Sequence, residues 1–592
     1  MDGMPQGQLL EESTKPGRRG AVSGDPGVLR CIDLVHHNPG EEPFESEFLD
    51  PARLRSAGYA GQVLNIHAQA AVGFDRAFPD LWAGHPEALE WIERYARRID
   101  AQILATRQAG LECLAWTDFV VIPKPFVERY GEEIRADGAR QFEHDVKGDF
   151  TPNLRSPLLQ KILRAQIDEI FERFPALDGL VVRVGETYLH DLPHHTGGDP
   201  ILHGVESHLE ILTLLREAVC EKHGRQLIYR TWLSGLDEDR QAYLDINRRL
   251  EPHPKFQFAT KHCIGDYHRT HRFTPLLGIG RHPQLVEVQC QREYEGKGAF
   301  PNYIAEGVIE GFEEYEHLME ATEPRGLHDL LGTEAFRGVF TWSRGGGWVG
   351  PRIPNEFWCA LNAEVLSAWC RNPSRTPEEL LAASLARRGF AEADVARLSR
   401  ICRLSSAAVL RGLASTRGGI DTLWTRDEFL GGIEDPASPM ARSVATVLDA
   451  GRSDEILAER AEAVEMWHEI LDLARSVESG PEPLREFIRI SCQYGSHFFE
   501  IVEAGWTILL LGAAAERGQP ANTDRIRAAI EHWDHAWNAW RNLAAEHPET
   551  CPSLYRDKYC RYVKDVGMEE VPGMGDSVER IRKSLEPPDM RP

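Results

Sequence analysis

Three carboxylates stand in a pattern that could do chemistry. Asp266 and Glu293 each follow a strand-like run, FQFATKH and LVEVQCQ, and each sits in a Gly-rich loop. A third acid, Glu186, closes a run of the same kind, GLVVRVGETY. Acids at the C-terminal ends of parallel strands converge on one mouth when those strands close into a barrel. Cleaving a glycosidic bond needs one group to protonate the leaving oxygen and another, across the sugar ring, to activate a water. Two carboxylates facing one water can share the second task.

These acids need a sheet to hold them. From Val28 to about Trp348, eight apolar runs read as strands: VLRCIDLVH, GQVLNIHA, LECLAWTDFVVI, GLVVRVG, RQLIYRTW, FQFATKH, LVEVQCQ and FRGVFTW. Between them, PEALEWIERYARRIDAQILATRQAG and LLQKILRAQIDEIFERF place apolar residues at three- and four-residue spacing, the period of a helix. Alternating strands and helices imply a parallel sheet, and eight repeats imply a closed (β/α)₈ TIM barrel. After about Pro351 helical periodicity takes over, as in PEELLAASLARR, SDEILAERAEAVEMWHEILDLARSV and TDRIRAAIEHWDHAWNAWRNLAAEH. The expected organisation is a disordered tail over 1–27, a catalytic barrel over 28–350 and an α-helical C-terminal domain over 351–592. Trp533, Trp537 and Trp540 fall at i, i+4 and i+7 on one helix face, which reads as a core or subunit-contact stripe rather than a sugar platform.

Composition narrows the partners. The chain has 592 residues, 42% of them hydrophobic, enough for sizeable cores. Its charge, 67 − 92 = −25, argues against nucleic acid and anionic membrane surfaces as ligands. Eleven scattered Cys without a CxxC pair read as reduced thiols, and the first residues carry no apolar signal stretch, so a cytoplasmic location is expected. The most apolar run, Trp506 to Ala515, is bounded by Glu503 and Glu516 and reads as a buried helix too short to span a membrane. EYEGKG, from Glu293 to Gly298, lacks the GxxxxGK[ST] spacing of a phosphate loop. Lys297 within it is expected to pair with Glu295 or to touch substrate.

The segment FATKHCIGDYHRTHRFTPL, followed by VQCQREY, resembles the α-glucuronidases of glycoside hydrolase family 67, whose corresponding region reads approximately QIKxGPxDFQxREPFSPL and then QxTQEY. Phe273, Pro275 and Leu276 keep the family's offset from Asp266, and the two acids lie 27 positions apart (266 to 293). AGQVLNIHAQA, GLVVRVGETY and LIYRTW look like further strands of that family. The resemblance implies an inverting, cofactor-free exo-glycosidase that removes α-linked glucuronic acid from xylo-oligosaccharides. Glu186 would match the general acid, and Asp266 and Glu293 the pair that positions and deprotonates the water. Arg230 would match an Arg that holds the substrate, where a planar guanidinium suits a carboxylate; the other reading of Arg230 is a barrel-mouth ion pair with one of these acids. Arg183, His37, Asn65, Trp116, Lys261 and Trp342 complete the expected substrate contacts, and a homodimer through the helical domain is what the family suggests.

The chain also departs from that family. His36-His37-Asn38 stands where the family has HWDN, so the Trp lining the pocket is missing unless Trp116 replaces it. With the first strand-like run starting at Val28, the family's extra N-terminal β domain is not expected. The loop TYLHDLPHHTGGD differs as well; it is long and Gly-rich, and reads as a lid or subsite wall. These changes leave the sugar open: another α-linked sugar fits the same acids. The histidines (His36, His37, His67, His190, His194 and His195) suit sugar hydroxyls, structural roles or a metal-dependent TIM-barrel hydrolase or isomerase, but they lack an HxH or HExxH signature, and no metal is expected. A non-catalytic sugar-binding barrel would not need Glu186. Trp342, Arg344 and Trp348 in TWSRGGGW could supply an aromatic platform or pack the barrel on the helical domain.

Overall fold

The computed structural model describes residues 28–37, 44–137, 151–187, 189, 191–232, 235–346, 353–415, 420–421, 431–520, 522–550, 559–564 and 567–586. The expected tail over 1–27, His190 and Trp348 lie outside the described residues.

Eight parallel strands close into a barrel. They are β1 (Arg30–Val35), β2 (Gly61–Leu64), β3 (Glu112–Asp118), β4 (Gly179–Arg183), β5 (Gln226–Arg230), β6 (Phe256–Lys261), β7 (Gln284–Gln289) and β8 (Phe336–Arg344). Each pairs with its sequence neighbours, and β8 returns to β1 with Ile32 opposite Phe340 and Leu34 opposite Trp342. All eight strands expected from the sequence are present. The run LECLAWTDFVVI divides: after Asp118 the chain turns, and Val121–Pro123 pairs antiparallel with His195–Gly197.

Side chains alternate along a strand, and here the alternation builds the barrel floor. Ile32, Leu34, Val63, Leu114, Trp116, Val181, Ile228, Ala259, Leu285, Phe340 and Trp342 form one buried apolar cluster. The same parity continued toward the C-terminal ends reaches Asp118, Arg183, Arg230, Lys261 and Glu287, all buried. A dry apolar plug thus carries a charged layer on its upper surface. Amphipathic helices such as Pro86–Gln108 and Pro157–Arg173 cover the outside. Both begin with Pro at the first turn, where its missing N–H costs nothing.

Beyond the barrel the chain is mainly helical: Phe357–Arg371, Pro377–Arg387, Glu392–Leu413, Pro439–Asp449, Ser453–Arg475, Glu482–Glu516 and Thr523–Glu546. Within this helical stretch Tyr559–Lys564 and Gly567–Pro572 pair as an antiparallel hairpin, which helical periodicity does not signal. Glu482–Glu516 is the one described helix long and apolar enough to cross a membrane, yet 67% of its apolar window is buried in the molecule. The stripe of Trp533, Trp537 and Trp540 is buried, with Trp533 stacked on Trp537 at 5.6 Å. That face is used up inside one chain and cannot serve a subunit contact. A single apolar cluster runs from Cys31, Val286 and Val288 of the barrel through Trp369 to Trp467, Trp506 and Trp540.

Candidate active site at the barrel mouth

The charged layer is organised as ion pairs. On β3 and β4, Arg183 Nε donates to Asp118 Oδ1 at 2.7 Å and Nη2 to Oδ2 at 2.8 Å. The remaining amino group, Nη1, donates to Glu186 Oε2 at 3.0 Å. On β5 and β7, Arg230 makes the same fork with Glu287 at 2.7 and 2.6 Å, and both side chains are fully buried. Burial alone would lower the pKa of Arg230; the facing carboxylate outweighs it and keeps the guanidinium charged. Arg230 lies between two indoles, 4.7 Å from the Trp116 ring and 4.9 Å from that of Trp342. Among the described residues its Nη1 finds no hydrogen-bond partner, nor does Trp342 Nε1.

Trp116 is the shared plate beneath both arginines. Arg183 sits 5.1 Å above it, and the Trp116 Nε1 donates to Asp118 Oδ1 at 3.2 Å. The residue is fully buried. It therefore offers no face to a sugar and does not replace the Trp missing after β1. Trp342 stacks on His36 at 4.8 Å. Burial and the two nearby arginines push the His36 imidazole well down, so it is neutral.

The acid loops follow β6 and β7. Gly265, Asp266 and Tyr267 have φ of +69°, +60° and +68°, and Arg292 and Lys297 have φ of +60° and +51°. Left-handed backbone at a bulky residue such as Tyr267 is costly and persists where the surroundings over-determine it. Here they do. Arg292 Nη2 donates across to the Tyr267 carbonyl at 2.7 Å, while its Nε bonds Glu295 at 2.7 Å. Glu295 also accepts from Asn302 at 2.7 Å. Tyr294 and Lys261 each make a short bond to Asp266, one to each oxygen. Tyr267 in turn donates to Glu287 at 3.1 Å.

The two loop acids have different surroundings. Burial raises the Asp266 pKa, but the Lys261 ammonium and the Tyr294 hydroxyl outweigh it and hold the carboxyl well below the usual range. Lys261 also lies 3.1 Å over the Trp232 ring. The Glu293 amide donates to Gln289 at 2.8 Å, and a Cβ at Gly346 would stand 2.0 Å from Glu293 Oε2. Glycine at that position, with φ +87°, is what lets the β8 loop lie against the carboxylate.

The structure thus gathers Glu186, Asp266, Glu293, Arg183, Arg230, Lys261, Trp116 and Trp342 at one end of the barrel. Arg183 was expected to face substrate, but all three guanidinium nitrogens go to protein carboxylates. Arg230 pairs with Glu287, not with any of the three expected acids. Asn65 donates to the His37 carbonyl at 2.9 Å, and the His37 ring packs on Phe44 at 4.2 Å, so both shape the loop after β1. His195 is buried near Trp82 and Trp91 within the short antiparallel pair, which pins part of the expected lid. Among the described residues no three His, Cys, Asp or Glu side chains are grouped as a metal site. A separate groove of about 1010 Å³ lies on the flank, where Glu364 already gathers Arg53 and Arg388.

Asp118, Glu287, Tyr267 and Tyr294 escaped the sequence reading. For Asp118 and Glu287 a signal existed, since each lies two or four positions beyond an inward apolar residue of its own strand. The tyrosines act through contacts between loops, for which local sequence offers no sign.

The fold is shared with a GH138 enzyme targeting pectin rhamnogalacturonan II, with a TM-score of 0.57 at 11% identity over 95% of this chain and 67% of that one. A Thermobaculum terrenum O-GlcNAc hydrolase aligns at 0.40 and 9% identity, over 94% of each chain. A Flavobacterium johnsoniae chitobiase aligns at 0.32 and 12%, over 87% of this chain and 78% of that one. At these identities the first establishes a common barrel fold, without singling out family 67, and the other two are too distant to argue from. No protein-family model and no curated protein matches the chain.

Proposed function

We propose that the chain is a glycoside hydrolase that removes a terminal α-linked sugar, a uronic acid in the first instance, from an oligosaccharide such as a glucuronosyl xylo-oligosaccharide. The observation that carries this reading is the placement of three carboxylates, Glu186, Asp266 and Glu293, beyond the ends of β4, β6 and β7 at one barrel mouth. Fold likeness alone does not assign an activity. The target named for the GH138 enzyme, a rhamnogalacturonan, is a uronate-containing polymer by its name, which agrees with the reading.

In this mechanism Glu186 protonates the leaving oxygen, which requires that its contact with Arg183 loosen as substrate arrives. Glu293 takes the proton of the attacking water. Asp266, tied through both oxygens, orients that water and stabilises positive charge on the ring, because a carboxylate held so firmly ionised is a weak base. Inversion of the anomeric centre follows if the water attacks directly.

The test is a proton-NMR time course with aldotetraouronic acid, a 4-O-methyl-glucuronosyl xylotriose, for the wild type beside Glu186→Gln. First appearance of the β-anomer of the uronic acid with wild type alone supports an inverting α-glucuronidase. No release by folded protein sinks the glucuronate assignment. A neutral terminal sugar is the second reading, favoured by the pairing of Arg183, Arg230 and Lys261 with protein carboxylates. It is tested on neutral α-linked oligosaccharides under the same conditions.

A further inference from the structure

Each nitrogen of the Arg183 guanidinium meets a carboxylate. Asp118 takes two of its nitrogens in a planar fork, Trp116 supports its face, and the third nitrogen meets Glu186. Asp118 is wholly buried, and its Oδ1 also accepts from Trp116 Nε1. Its backbone carbonyl accepts from Gln69 at 3.1 Å, which fixes the strand end. A guanidinium fork is directional, so fixing two donors fixes where the third points. Lysine, a point charge on a flexible stem, could not transmit position in this way.

We infer that Asp118 and Arg183 are positioning residues for Glu186. Asp118 orients Arg183, and the remaining Arg183 amino group sets where the Glu186 carboxyl stands before substrate arrives. Neither touches the sugar. The inference rests on the proposed glycosidase reading only for its consequence in the reaction; the positioning itself is a statement about three side chains. It also gives the β4 arginine a different role from substrate recognition.

Two readouts test it. The first is crystallographic, comparing wild type with Asp118→Asn. Removing the charge frees the fork, and Glu186 is expected to leave its hydrogen bond with Arg183 Nη1 while Trp116 stays in place. Retention of that bond in the variant overturns the inference. The second is kinetic, on aldotetraouronic acid and on 4-nitrophenyl α-D-glucuronide. A nitrophenolate leaves without help from an acid, whereas a sugar alkoxide does not. A displaced acid therefore slows the first substrate by about 100-fold or more and the second by less than about tenfold.

Equal losses on both substrates indicate general damage and overturn the role. Removing one partner of a buried pair can unfold a protein, so Arg183→Lys is a second variant. It keeps the charge and loses the fork, and the same selective loss is expected. If wild type cleaves neither probe, the proposed function falls, and the crystallographic comparison alone decides the positioning.

Discussion

At the scale of single residues, the proposed mechanism gives the two acids of the β6 and β7 loops separable duties. Asp266 is engaged by Lys261 and Tyr294, whereas Glu293 lies against the glycine backbone of the β8 loop. On that mechanism Glu293→Ala lacks its base, and added azide, which attacks without losing a proton, should restore turnover. Asp266→Ala should stay inactive with azide, because the charge that stabilises the ring is gone. Rescue of Asp266→Ala alone would reverse the two roles. Gly346→Ala is a finer probe. The new Cβ would press on Glu293 Oε2, and the backbone there is left-handed. A displacement of about 1 Å is enough to cost about 100-fold in kcat. The expected result is a large loss of kcat with a melting temperature lowered by only a few degrees.

At the scale of elements, the seam that closes the barrel holds a buried acid that takes no part in the site. Asp33 of β1 accepts from the Thr341 hydroxyl at 2.6 Å and the Ser343 hydroxyl at 2.7 Å, both on β8. Burial, only partly offset by these bonds, pushes its pKa up to about 7. The folded state therefore keeps a proton that the unfolded chain gives up in the ordinary carboxylate range. The sign follows: this group's contribution to stability falls as pH rises from that range to about 7, and is level above it. Asp33→Asn removes the titration. Melting temperatures at pH 5 and pH 8 should differ more in wild type than in the variant, and equal differences would show that Asp33 ionises freely in the fold. The same elements show how far sequence patterns reach. Strand-length apolar runs and period-3.6 helices are local, so all eight strands were legible. The split of β3 from Val121–Pro123 was not, because the short strand is defined by its partner at His195–Gly197.

At the scale of the whole molecule, the barrel and the helices that follow it share one apolar cluster. Trp467 shows the connection: its ring stacks on Phe499 at 4.9 Å and meets Phe300, just beyond the β7 acid loop, at 5.5 Å. Trp467→Ala should destabilise the protein by about 3–5 kcal/mol and unfold it in one transition that lowers barrel and helix signals together. Two separate transitions by calorimetry would show that the helical part stands alone. We propose that two copies associate through the outer surface of that part. With the tryptophan stripe buried, the contact must use other residues. Size-exclusion chromatography with light scattering decides between 66.8 kDa and twice that mass.

What the sequence by itself determined is the order of strands and helices, the closure into a barrel, and three acids beyond strand ends. These follow from hydrophobic periodicity and from the fixed polarity of a parallel barrel, both readable along the chain. What only the tertiary structure decided is which charge each charge meets. Arg183 and Asp118 are 65 positions apart, and Arg230 and Glu287 are 57 apart. Ring closure sets these groups side by side on a dry floor, where an unpaired charge is too costly to keep. The arginines were recognisable as inhabitants of the mouth, but their partners, and hence their duties, depend on distances that no local pattern encodes.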